Sequence, residues 1–85
     1  MKIAISKSFG GFHLPKKFCK MYRCDENANV SRTENILIDF IENMPEFAKD
    51  LAVVEIPDGA TDWMISNYDG METVYFVVDG KIKCT

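Results

Sequence analysis

In Lys2-Ile3-Ala4-Ile5-Ser6 the β-branched Ile3 and Ile5 alternate with polar or small residues, which predicts a strand that the Gly10-Gly11 turn follows. From Leu14 the period changes: Leu14, Phe18, Met21 and Tyr22 recur at helical spacing, with Lys16, Lys17 and Lys20 on the other face and Pro15 where an early helical position accepts it. The segment "CDENANV" reads as a polar loop. Ser31 and Glu34 then have the S-x-x-E spacing of a capping box, ahead of the helical stripe Ile36, Leu37, Phe40, Ile41 and Met44 that Pro45 ends. "LAVVEIP" at 51–57 is a short apolar run of the kind that is covered on both faces as a strand. Asp69-Gly70 separates "DWMISNY" from "METVYFVV", and Asp79-Gly80 separates that run from "KIKCT". Asp-Gly between alternating segments is a strong hairpin signal, because both central positions accept a positive φ, so the C-terminal part predicts a three-stranded meander.

Strands outnumber helices and the helices come early. The pattern therefore predicts an α+β domain, residues 1–85, with two helices packed on one face of a mostly antiparallel four- to five-stranded sheet. A chain of 85 residues buries about 60 to 65% of its unfolded surface, so it makes one small domain that gains by pairing with copies of itself, and a homo-oligomer is expected. Its 47% apolar and 27% charged content is that of a globular protein. No apolar run approaches the ~20 residues of a membrane span, and no secretory h-region follows Lys2. The three cysteines, Cys19, Cys24 and Cys84, are an odd number without a close C-x-x-C pair, which points to a reducing compartment, here the cytoplasm, and to no metal site.

Charge is divided unevenly. Residues 1–24 hold Lys2, Lys7, Lys16, Lys17, Lys20 and Arg23 and no acid, whereas all 13 carboxylates follow, against four cations. Such a division hints at an anionic partner; the alternative is that the lysines neutralise the acidic part within the fold. The loop "SKSFGGFHLPKK" concentrates the candidate chemistry. Consecutive glycines between a strand and a helix let backbone amides converge on an anion, and Ser6, Lys7, Ser8 and His13 could complete a shell around Gly10 and Gly11. The alternative is a plain tight reversal with Phe9 and Phe12 entering the core. Arg32 falls in the first turn of the expected capped helix, where a cation opposes the helix dipole, so it needs a partner: a phosphate or carboxylate ligand, or an acid such as Asp25 or Glu26. Asp69 and Glu72 read as turn and rim residues. The sequence holds no catalytic signature, its only histidine being His13 without an evident orienting partner. Neither a catalytic residue nor a cofactor is assigned.

On "SKSFGGFHL", "SRTENILIDFIE", "VVEIPDGATDW" and "YDGMETV" the chain resembles a family of small, largely uncharacterised proteins carried by bacteriophages and prophages. The resemblance implies that the glycine loop, Arg32 and the Tyr68-Asp69-Gly70 turn belong to a family pattern. The chain departs from that pattern at Asn35, where a proline often stands, and in its ending "VDGKIKCT". A phage setting implies a non-enzymatic counter-defence or host-takeover protein acting in the host cytoplasm. Its expected partner is a phosphate-bearing nucleotide signal, gripped by Ser6, Lys7, Ser8, Gly10, Gly11, His13 and Arg32. The rival expectations are an anti-CRISPR-like protein that blocks a host defence protein by contact, and a small enzyme working through His13.

Overall fold

The computed structural model describes residues 1–85, in which strand β1 (Lys2–Ser6) is followed by helices α1 (Lys16–Tyr22) and α2 (Asn35–Asn43). A 3-10 turn (Pro45–Phe47) leads into β2 (Leu51–Glu55), and β3 (Asp62–Tyr68), β4 (Met71–Val78) and β5 (Lys81–Cys84) complete the chain. The α+β class holds, with two helices and five strands that pair only antiparallel. The strands divide between two sheets: β1 pairs with β2 as a ribbon, and β3, β4 and β5 form a meander in that order.

The ribbon lies between the helices and the meander, and the parity of β1 explains why. Ala4 faces α1 and α2 in a core with Leu14, Phe18, Leu37, Phe40 and Ile41. Ile3 and Ile5, on the other parity, enter a second core with Ile56, Val74 and Phe76. A strand presents successive side chains to opposite faces, so one five-residue strand serves two cores. The apolar run of β2 is used in the same way, Val53 packing toward the helices and Ala52 and Val54 toward the meander.

Both hairpins turn as Asp-Gly pairs with positive φ at each position: 52° and 95° at Asp69 and Gly70, 52° and 74° at Asp79 and Gly80. The helix α2 starts later than the S-x-x-E spacing suggests. The Ser31 hydroxyl bonds the amide and hydroxyl of Thr33, and Glu34 is itself the residue before the helix and makes no side-chain cap. No capping box forms, and Arg32 precedes the helix instead of occupying its first turn. Its role is set by tertiary contacts.

Two glycines with the same local role differ in what surrounds them. A Cβ at Gly80 meets nothing within 4 Å, whereas a Cβ at Gly70 would overlap the Gly11 nitrogen and the Phe9 carbonyl. The β3–β4 turn is therefore seated directly on the backbone of the Phe9-Gly10-Gly11 loop. Gly80→Ala is expected to lower the unfolding free energy by about 1 kcal/mol for its left-handed backbone alone. Gly70→Ala is expected to cost more than about 3 kcal/mol, because the loop must separate from the turn. Urea unfolding of the two variants side by side measures the difference.

Candidate functional site

Two neighbouring regions gather the chemistry that the sequence brings into view. The first is an ion pair between Arg32 and Glu72. Glu72 lies on β4, on the parity that faces the ribbon, and its side chain is only 4% exposed. Arg32 Nη1 and Nη2 donate to its two oxygens at 2.7 and 3.0 Å, and the Ser6 amide donates to Oε1 at 2.7 Å. Nη1 also reaches the Ala4 carbonyl at 3.3 Å, while the Ala4 amide donates to the Arg32 carbonyl at 2.8 Å. The guanidinium carbon stands 3.6 Å from the centre of the Phe12 ring, so the cation is capped by an aromatic face. Burying a carboxylate is costly unless it is paired and fully hydrogen-bonded, and a forked guanidinium plus a backbone amide meets that requirement.

The second region is a groove between the loop entering α1 and the segment after the 3-10 turn. It has a volume of about 350 Å³; His13, Lys16 and Lys49 line it together with Glu26 and Asp50, over an apolar floor that includes Leu14 and Leu51. Backbone bonds hold its walls: the Leu14 amide donates to the Glu26 carbonyl at 3.2 Å, and the Lys7 amide to the Asp50 carbonyl at 2.8 Å. His13 Nε2 lies 3.1 Å from the Gly10 carbonyl, which only accepts, so Nε2 carries the proton.

The seven candidate residues do not form one shell. Ser6 and Arg32 meet at Glu72; Ser6 is fully buried, its hydroxyl shared with the backbone of Ser8. Gly11 and the Phe9 carbonyl form the seat of the β3–β4 turn, the Gly10 carbonyl meets His13, and the Phe9 side chain points outward while Phe12 packs beneath Arg32. His13 belongs to the groove, and Lys7 is exposed beside it. The partner of Arg32 is Glu72, 40 residues away, and neither Asp25 nor Glu26. Glu72 is thus a buried structural carboxylate, not a rim residue. Of the six cations before residue 25, Lys2 alone forms an ion pair, with Glu42 at 2.9 Å, a hydrogen bond that holds its pKa above the ordinary lysine value. Lys49 and Lys16, on the groove, pair with no carboxylate. Glu26 and Asp50 line the same groove without closing on them, an arrangement that spacing could not reveal because it depends on which acids fold nearby.

No group of three His, Cys, Asp or Glu side chains is placed to hold a metal ion, and no helix is long and apolar enough to cross a membrane. The three cysteines are free thiols. No family model matches the chain, and comparison with curated proteins and with solved structures finds no match.

Glu72→Ala is expected to cost about 3 kcal/mol or more, because it leaves Arg32 against Phe12 without its counter-charge. Adding Arg32→Met should recover part of that loss, a coupling read from thermal unfolding of the single and double variants. Burial, reinforced by a hydrogen bond with Cys24, pushes the Cys19 thiol up from 9.0 to about 11. A folded-state pKa above the unfolded one stabilises the protein below pH 9.0 and ceases to do so as pH rises toward 11. Cys19→Ala is therefore expected to lose less stability across that interval than the parent chain, measured by urea unfolding at each pH. The exposed Cys84 should be alkylated before Cys19, as peptide mapping after timed iodoacetamide treatment reads out.

Proposed function

We propose that the protein is a non-enzymatic binding protein that sequesters a phosphate-bearing nucleotide signal, in phage counter-defence or host takeover. The observation that carries this reading is the groove with Lys16 and Lys49 on its walls, neither of them within ion-pair distance of a carboxylate. Unpaired lysines raise the local potential and attract phosphate.

The mixed lining suits a nucleotide better than a bare phosphate. The lysines meet the phosphate; Glu26 and Asp50 accept hydrogen bonds from the amino groups of a base; the apolar floor takes the base plane. The volume, about 350 Å³, is at the small end of ligand sites and fits one nucleotide more readily than an oligonucleotide. In this reading Arg32 supports the fold, and the ligand is gripped at His13, Lys16 and Lys49. The phage setting rests on the resemblance of the glycine loop, the Arg32 segment and the Tyr68-Asp69-Gly70 turn to proteins of that origin.

Titration calorimetry against a panel of cyclic and linear nucleotides is expected to find one class that binds, and Lys16→Glu with Lys49→Glu should weaken it at least about tenfold. The affinity should also fall as salt is raised, since the attraction is between partly exposed charges. No heat from any nucleotide at about 0.1 mM overturns the reading. A stoichiometric host protein retained with no small molecule would instead move the function to blocking by protein contact.

A further inference from the structure

The outer face of the meander is almost without charge. Trp63, Ile65, Val74 and Phe76 of β3 and β4 turn inward, to the second core. The register then places Met64 and Tyr68 of β3, and Met71, Tyr75 and Val77 of β4, on the opposite face, with Ile82 of β5 across from Val77. Tyr68, Ile82 and Met64 are 77%, 75% and 62% exposed. A shallow hollow of about 190 Å³ runs among Met64, Tyr75, Val77 and Ile82. The chain carries ten cations and thirteen carboxylates, yet the outward positions of these strands hold a single charge, Asp62 at the corner.

We propose that this face is covered by a second copy of the chain, the two meanders packing face to face about a twofold axis. Three observations select that occupant. The first is charge: a face that meets its own image brings each charge against a like charge, and a face that is uncharged apart from one corner avoids this repulsion. The second is area. The five exposed side chains and the half-buried Val77 amount to roughly 600 Å² per copy, so the pair buries roughly 1,200 Å², the lower bound of a specific interface. The third is the edge. On β5 the alternate positions are Lys81 and Lys83, and lysines on an edge strand oppose the addition of another strand. Strand addition at the β5 edge, one of the two edges of the meander, is thereby disfavoured, while association at the face closes as a dimer. This inference rests on the meander alone and does not depend on the groove.

Sedimentation equilibrium and native mass spectrometry of the full chain are expected to find a dimer at about 100 μM. Met64→Lys and Ile82→Lys, both at exposed positions, should each weaken it at least about 100-fold by placing like charges across the axis. Far-UV circular dichroism should stay unchanged in both, which keeps folding separate from association. Lys81→Gln, at the edge, should leave the dimer intact. The proposal is overturned by a chain that stays monomeric at about 100 μM, or by a dimer that both lysine variants leave intact. A monomer whose Met64 face binds a different protein would assign the surface to that protein.

Discussion

One carboxylate organises the middle of this protein. Glu72 is enclosed by the end of β1, the segment before α2 and the β3–β4 hairpin, and a charge in that position is tolerable only if all three supply donors or cover. They do: Ser6 gives an amide, Arg32 gives both guanidinium nitrogens, and Phe12 closes the far side of the cation. Because Arg32 also exchanges hydrogen bonds with Ala4, the pair ties the hairpin to the ribbon and the ribbon to the helical layer. The same hairpin brings Gly70 into close approach with Phe9 and Gly11 of the preceding loop. Gly11 of that loop is therefore used for backbone contact within the protein, and the arginine that could have gripped an anion already holds one.

The two-stranded ribbon is the second organising element. With only 16 of 85 residues buried, the chain has too little material for one deep core, and it divides its apolar side chains between two shallow ones on either side of β1 and β2. Neither core is reached from one layer alone: the helices need Ala4 and Leu51, and the meander needs Ile3, Ile5 and Ile56. This arrangement spreads the molecule to 42 × 26 × 22 Å and leaves much surface for its size. That surface is of two kinds. The side built by α1 and the 3-10 segment offers cations without partners around a groove, while the outer face of the meander is apolar and nearly free of charge. The two proposed partners, a phosphate-bearing ligand and a second copy of the chain, would thus meet separate surfaces of the same small domain.

Local chemistry determined much of this from the sequence alone. β1 covers the residues whose alternation announces it, and the two Asp-Gly pairs turn where positive φ is needed because nothing more than the backbone preference of two residues is involved. Leu37, Phe40 and Ile41 of the α2 stripe are likewise buried, since helical period is a property of consecutive side chains, whereas Ile36 is exposed, Ile38 is buried in its place and Met44 follows the helix. The start of that helix was not legible: Ser31 finds Thr33 as a nearer partner, and the capping box is lost to it. Nor was the separation of the strands into two sheets, because alternation says which side chains share a face and says nothing of what faces them. Only the tertiary structure decided the fate of Arg32, Glu72 and the free lysines. Ion pairs form between groups that the fold brings together, here 40 residues apart, and distance along the chain carries no record of that encounter.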